Sequence, residues 1–178
     1  MHILSTVKKL STPVFEIENV VAKDDDGFEI RRSVVRHHGS AVIVPVDAEG
    51  RVLLVSQFRL PVAKRIWELA AGRIDPGEKP LGAARRELKE ETGLRAKNWR
   101  KLAMIYPTPG YVSEAMHVYL ATGLSQGEAT PMDDERIASK WFSREELEDW
   151  IDRGKLPDGK TLAALLLYWR GLDTKARS

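Results

Sequence analysis

Cysteine is absent from this chain, which excludes both a disulfide framework and thiol chemistry. Long apolar runs are also missing: no stretch approaches the roughly 20 apolar residues of a membrane-spanning helix, and the N-terminus lacks the continuous apolar segment of a signal peptide. Neither sign of charge is in large excess, because 28 basic residues accompany 26 acidic ones. Composition therefore gives no indication of nucleic-acid or anionic-membrane binding, and we expect a cytoplasmic protein.

What the sequence contains is enough for one globular domain with a small appendage, since 43% of its 178 residues are hydrophobic. Two strand-like stretches, residues 14–22 and 28–36, are separated by the polar segment 23–27, which predicts a hairpin. The acidic run in that turn lacks the length and ligand spacing of a calcium loop, which favours a solvated turn. We interpret residues 1–38 as an N-terminal β arm and residues 39–178 as the main domain.

Apolar patterning predicts further strands along the main domain. Residues 40–46 and 51–58, joined by a compact turn, are predicted to form a second hairpin of central strands. Shorter strands are predicted at 67–71, 101–106, 115–122 and 137–142. Ser143 and Glu146 form a capping box for one C-terminal helix, and the stripe Leu162, Leu165, Leu166 and Trp169 predicts a second. This element order predicts an α+β fold, an α/β/α sandwich.

The most informative stretch runs from Gly72 to Leu94 and ends in a helix rich in carboxylates. Pro80 suits the first helical turn, and Gly93 can adopt the left-handed conformation that ends a helix, so the helix is predicted over residues 80–92. Helical spacing places three glutamates on one face, with Leu81, Ala84 and Leu88 on an adjacent face toward a core and Arg85, Lys89 and Thr92 toward solvent.

The three glutamates of that face, Glu87, Glu90 and Glu91, repel one another, so a cation should offset their charge. One interpretation is an ordinary ion pair, since Arg86 lies one turn before Glu90. A second is a metal site, because the preceding D-P-G-E turn brings Glu78 to the start of the helix. Oxygen ligands without nearby cysteine suit Mg²⁺, with Mn²⁺ as a second possibility, rather than zinc.

The stretch resembles the signature of the Nudix hydrolases, G-x5-E-x7-R-E-U-x-E-E-x-G-U, where U is aliphatic. Every fixed position is filled: Gly72, Glu78, Arg86, Glu87, Leu88, Glu90, Glu91, Gly93 and Leu94. The resemblance implies a Nudix fold over residues 39–173 and hydrolysis of a nucleoside diphosphate linked to another group. It also implies that Glu87 and Glu91 are the main metal ligands, with Glu90 and the Ala71 carbonyl as further ones.

Other segments resemble the ADP-ribose pyrophosphatase subgroup of that family. Pro109 stands fifteen residues beyond Leu94, within the segment P-T-P-G-Y-V-S-E, whose closing Glu114 is implied to hold substrate. The resemblance places Arg59 and Glu68 at the substrate as well, although Arg59 could equally be a surface residue. It also assigns Glu135 and Asp133, just before the last strand, to metal binding or water activation.

By this resemblance the protein hydrolyses ADP-ribose to AMP and ribose 5-phosphate with Mg²⁺, and it forms a homodimer that exchanges its N-terminal arms. One alternative is another nucleoside diphosphate sugar, such as GDP-mannose. The sequence lacks the motifs that we associate with NADH and coenzyme A pyrophosphatases. A different alternative is a non-catalytic module that binds ADP-ribose, which the intact signature disfavours.

Overall fold

The structure of the protein is a computed structural model that describes residues 1–127 and 137–176. This part of the chain contains ten strands, three α-helices and a short 3₁₀ turn at Leu60–Val62. The strands are β1 (His2–Ser11), β2 (Phe15–Lys23), β3 (Glu29–His37), β4 (Ser40–Pro45), β5 (Val52–Arg59), β6 (Lys64–Glu68), β7 (Ala71–Arg73), β8 (Leu94–Ile105), β9 (Met116–Gln126) and β10 (Ala138–Phe142). The helices are α1 (Pro80–Thr92), α2 (Arg144–Asp152) and α3 (Gly159–Ala176).

The N-terminal arm is an antiparallel sheet in the order β1–β2–β3. The predicted hairpin of β2 and β3 is confirmed, and the Asp24 side chain accepts the backbone N–H groups of Asp26 and Phe28 in its turn. Strand β1 was not predicted, because its sequence shows no buried face. Every residue of β1 is exposed, so its presence depends on pairing with β2 rather than on a hydrophobic core.

The main domain is layered around a four-stranded sheet in the order β7–β4–β9–β8. Successive residues of β4 point to opposite faces and enter two different hydrophobic clusters. Val42 and Val44 pack with residues of α2 and α3, whereas Ala41 and Ile43 pack with residues of α1. Helices therefore cover both faces of the sheet, as the predicted α/β/α sandwich requires.

The predicted hairpin of β4 and β5 is wrong. Both edges of β4 are occupied, one by β7 and the other by β9 in parallel, while β5 lies between β10 and β6 in a separate three-stranded sheet. Between the two stretches the structure has a single bridge, from Val46 to Val52. The turn still reverses the chain because Asp47 accepts N–H groups of Glu49 and Arg51, but the strands that it joins enter different sheets.

The strand predicted at residues 67–71 is divided between those two sheets. The Leu69 N–H donates to the Thr161 hydroxyl at 2.8 Å, and the Ala70 carbonyl accepts the Ile43 N–H at 2.9 Å. The chain therefore leaves β5 after Glu68 and joins β4 at Ala71. This crossing brings the end of β6 next to the start of the carboxylate-rich stretch.

The helices agree well with the prediction. α1 covers the predicted residues, and Gly93 ends it in the left-handed conformation with φ of 73°. Thr92, expected in solvent, is buried, and its hydroxyl is satisfied there because it donates to the Leu88 carbonyl and accepts the Leu94 N–H. The capping box of Ser143 and Glu146 is present at α2.

The stripe predicted on α3 is only partly buried. Leu165 and Trp169 belong to the core, whereas Leu166 is 56% exposed. Among the helices of the described residues, none combines the length and apolar character needed to cross a membrane.

Candidate active site

Arg86 is the centre of the carboxylate cluster on α1. Its guanidinium donates to both carboxylate oxygens of Glu78, at 3.2 and 3.0 Å, and through Nη1 to Glu87 at 2.6 Å and Glu90 at 3.1 Å. A further bond to the Arg73 carbonyl, at 2.9 Å, ties the helix to the end of β7. The hydrogen bond from Arg86 lowers the pKa of Glu78, and the same carboxylates raise the pKa of Arg86 above its usual range.

These contacts confirm that Arg86 offsets part of the like-charge repulsion on the glutamate face. They also hold the D-P-G-E loop against the helix, because Glu78 accepts the Asp75 N–H at 3.2 Å as well. The ion-pair interpretation of the glutamates is therefore realised for Glu87 and Glu90. It does not exclude the second interpretation, because carboxylates have several lone pairs and can bind more than one cation.

Gly72 makes the position of Glu87 possible. A Cβ at residue 72 would lie 1.9 Å from the Glu87 carboxylate, so only a glycine lets that carboxylate approach the backbone of β7. Glu91, one turn farther along α1, is buried with 8% of its surface exposed. The Glu87 carboxylate thus faces the strand that contains Ala71, whose carbonyl belongs to the same short segment.

These residues fit a hard divalent cation. The donors available are carboxylate and carbonyl oxygens, which suit Mg²⁺ or Mn²⁺. The absence of a side chain at Gly72 lets the Glu87 carboxylate approach the backbone. Within residues 1–127 and 137–176, however, no three acidic or histidine side chains already converge as a metal-binding group. The assignment of Glu87, Glu90, Glu91 and Ala71 as ligands stays a prediction.

A second charged group lies where β5 and β6 end. Glu68 is 1% exposed, and the Arg59 guanidinium binds it through two hydrogen bonds of 2.8 and 3.0 Å. Lys160 of α3 contacts the same carboxylate and also donates to Asp158 at 3.0 Å. Burial alone would lower the pKa of Arg59, but its bonds to Glu68 and the nearby charge of Glu91 raise it instead.

An open cleft of about 380 Å³ connects this group with Gly72, the first residue of the signature. Glu114 lies in the cleft and accepts a hydrogen bond from the Ser40 hydroxyl at 2.8 Å. The lining combines cationic and anionic side chains with backbone of β7 and apolar residues of the β5–β6 loop: His37, Ser40, Arg59, Pro61, Val62, Ile66, Glu68, Ala71, Gly72, Arg73, Glu114, Met116, Asp158 and Lys160.

The remaining predicted site residues lie elsewhere. Pro109 is exposed, and its neighbours Pro107 and Thr108 line a second cavity of about 570 Å³. That cavity shares Met116, Asp158 and Lys160 with the cleft. Asp133 and Glu135 lie outside the described residues.

Sequence reasoning did not identify Lys160 as a site residue, although it lines both cavities. It stands in the segment D-G-K-T at the start of α3, which resembles an ordinary helix N-terminus. Asp158 indeed accepts the Thr161 N–H at 3.0 Å. The contact between Lys160 and Glu68 spans 92 positions of sequence, so no local pattern could have indicated it.

Comparisons with known proteins agree with the family resemblance of the signature. A family model for the NUDIX domain matches residues 36–165. An ADP-ribose pyrophosphatase of Bacillus subtilis is 35% identical over 142 residues, which cover 79% of this chain and 77% of that protein. A methanol dehydrogenase activator of Bacillus methanolicus is 34% identical over the same length, with the same coverage of both chains.

The fold is also found among solved structures. The crystal structure of an ADP compounds hydrolase superposes with a TM-score of 0.82 and covers 99% of this chain and 96% of its own. Its sequence is 24% identical, so this likeness concerns the fold alone. With the complete signature, the arrangement of its residues and these matches together, the chain belongs to the Nudix hydrolase family.

Proposed function

We propose that this protein hydrolyses the diphosphate bond of ADP-ribose to give AMP and ribose 5-phosphate, with the help of divalent metal ions. The observation that carries the proposal is a complete Nudix signature whose first residue, Gly72, lines a cleft that also contains Arg59, Glu68 and Glu114. The substrate is supported by the similarity to an ADP-ribose pyrophosphatase across most of both chains and by the position of Pro109 after the signature.

Glu87, Glu91 and the Ala71 carbonyl would hold the metal, with Glu90 as a further ligand. Bound Mg²⁺ or Mn²⁺ neutralises diphosphate charge and lowers the pKa of a coordinated water. Arg86 keeps the glutamate face assembled through its bonds to Glu78, Glu87 and Glu90. Arg59, whose side chain is 40% exposed at the cleft, offsets negative charge on the substrate.

The other substrate contacts follow from the lining of the cleft. Glu114, bound by Ser40, would accept hydrogen bonds from hydroxyl or amino groups of the substrate, and Glu68 keeps Arg59 in place. Pro109 would shape the loop that carries Glu114. The arm also holds this loop, because Val35 bonds to the backbone of Tyr111 and Ser113. We assign the proton transfer from water to Glu135 or Asp133, with Glu90 as the alternative.

The arm supports a homodimer. All of β1 is exposed, including Ile3, Leu4, Val7 and Leu10, and an edge strand with exposed apolar side chains is typical of an interface. Arg73, at the edge of the cleft, donates to the Pro13 carbonyl of the arm at 2.7 Å, so a partner held by the arm would lie close to the site. Residues 1–38 would therefore be exchanged between two copies. A cytoplasmic location stays a prediction.

A panel of nucleoside diphosphate derivatives, assayed with Mg²⁺ and with Mn²⁺, tests the substrate. ADP-ribose should give the highest kcat/KM, with AMP and ribose 5-phosphate as the products separated by chromatography. A higher kcat/KM for GDP-mannose would transfer the proposal to another nucleotide sugar. Tight binding of ADP-ribose without turnover under either metal would instead indicate a binding module.

A further inference from the structure

We infer that Lys160 is a positioning residue that controls substrate affinity through Glu68 and Arg59, an inference that rests on the proposed function. The starting observation is that one buried carboxylate is shared by two cations from distant parts of the chain. Arg59 ends β5 and Lys160 begins α3, and both contact Glu68. Of these three side chains, Glu68 is 1% exposed, Lys160 12% and Arg59 40%. Arg59 is thus the member of the group that is open to a ligand.

The position of Lys160 is fixed by the N-terminus of α3. Asp158 accepts hydrogen bonds from the Thr161 N–H and hydroxyl and from the Lys160 ammonium. Thr161, with no exposed surface, in turn accepts the Leu69 N–H, directly after Glu68 on the chain. The start of α3 is therefore attached to the end of β6 at two adjacent points. If Lys160 moved away from Glu68, it would disturb its hydrogen bond to Asp158, which also binds Thr161. Lys160 is therefore part of a rigid support.

The charges explain why a second cation matters. In a simple pair, the buried carboxylate of Glu68 would neutralise the Arg59 guanidinium and reduce its attraction for a diphosphate. Lys160 balances part of that negative charge, so Arg59 retains more of its positive potential at the cleft. The two hydrogen bonds from Arg59 to Glu68 also fix the plane of the guanidinium. Through Glu68, Lys160 thereby affects both the positive potential and the orientation of the guanidinium that Arg59 presents to the substrate.

The inference makes Lys160→Met an affinity variant. This substitution keeps much of the side-chain length and removes the charge. We expect KM for ADP-ribose to rise about tenfold, equivalent to about 1.4 kcal/mol, while kcat changes less than about threefold, since Lys160 does not touch the reacting atoms. Lys160→Arg should restore most of the affinity. Lys155→Met, at an exposed lysine five residues earlier in the chain, is the matched control and should behave as wild type.

A double-mutant cycle tests the route of action. In an Arg59→Met background, Lys160→Met should raise KM by less than about twofold, because the residue through which it acts is gone. An independent tenfold loss in that background would overturn the inference, and so would a wild-type KM in the single Lys160→Met variant. A fall in kcat with unchanged KM, or loss of the cooperative thermal transition, would mean a merely structural role and would also overturn it.

Binding of inorganic diphosphate, measured by calorimetry for the same variants, separates this inference from the proposed function. If wild type fails to hydrolyse ADP-ribose, the proposed function fails. The diphosphate affinities still test Lys160: weaker binding by Lys160→Met than by Lys155→Met supports it, and equal binding refutes it.

Discussion

The carboxylate of Glu87 lies so close to Gly72 that a Cβ at residue 72 would come within 1.9 Å of it. This approach connects a helix of the signature with the short strand β7, and it depends on the one residue type that lacks a side chain. The first glycine of the signature therefore has a specific physical role. It opens the space in which the Glu87 carboxylate meets the backbone next to Ala71.

Gly72→Ala should impair metal binding while sparing the fold. The clash falls on the end of a flexible glutamate side chain, which can rotate away, so the melting temperature should change little. Glu87 would then leave its place beside β7, and we expect kcat/KM to fall by at least about a hundredfold. Gly171→Ala, on α3 with only ordinary contacts to Arg100, is the control. Full activity of Gly72→Ala would contradict the role of Glu87.

Glu91→Gln tests the metal assignment directly. The change is nearly isosteric at a buried position, so the fold should survive, whereas loss of the negative charge should lower kcat by at least about a hundredfold. Thermal shift with increasing Mg²⁺ provides a second readout, because a ligand stabilises the protein that binds it. Mg²⁺ should raise the Tm of wild type more than that of the variant. The exposed Glu148→Gln serves as control, and turnover of Glu91→Gln within threefold of wild type would refute the assignment.

The limits of α1 were predictable because local chemistry determines them. Pro80 favours a first turn, and Gly93 adopts a conformation that other residues reach only with strain. The pairing of β4 was not predictable in this way. Its partners β7 and β9 are separated from it by long stretches of chain, and the compact turn at Asp47 suggested the wrong neighbour.

In the candidate site, too, the residues placed by local sequence were predictable and those placed by long-range packing were not. The signature identified Glu87, Glu90, Glu91 and Arg86 because their spacing is local to one helix. Lys160 was missed, since its role depends on a contact with Glu68 that only the packing of α3 against β6 creates. The burial of Glu68 likewise follows from the crossing of the chain between two sheets.

His117 should make stability depend on pH. Its Nδ1 is buried and has no hydrogen-bond partner among the described residues. Burial, and then the positive charge of Lys101, lower the pKa of this imidazole in the folded protein. The unfolded chain then binds a proton at higher pH than the folded chain, so this contribution to stability is present above about pH 6.5 and is lost as the pH falls through the lowered pKa.

Thermal unfolding between pH 7.5 and 5.5 tests that expectation. The Tm of wild type should fall toward pH 5.5, and His117→Gln should show a smaller fall over the same interval. His38→Gln, at an exposed histidine, should retain the wild-type dependence. Identical pH profiles for wild type and His117→Gln would show that the imidazole does not contribute.

The arm should hold two copies of the chain together. Light scattering at micromolar concentration should give twice the 20.0 kDa mass of one chain. A charge at Val7, which is 50% exposed on β1, should weaken an apolar interface, so Val7→Glu should shift the mass toward that of a monomer. Lys9→Glu tests whether added negative charge alone has this effect. A monomeric wild type would contradict the exchange of arms.

The contacts of Arg86 bear on which residue accepts the proton from the attacking water. Glu90 accepts a hydrogen bond from this guanidinium at 3.1 Å and Glu87 another at 2.6 Å, so both carboxylates are already engaged by a cation. These ion pairs occupy both carboxylates, which favours a residue outside the signature as the base. Glu135→Gln or Asp133→Asn should therefore lower kcat by about 10² to 10⁴ and change KM much less.

The neighbouring Asp134→Asn is the matched control for these two variants. All three variants should be assayed across pH, because loss of the base removes the acidic limb of the kcat profile. If neither Glu135→Gln nor Asp133→Asn lowers kcat, the base lies elsewhere, and Glu90→Gln becomes the decisive variant.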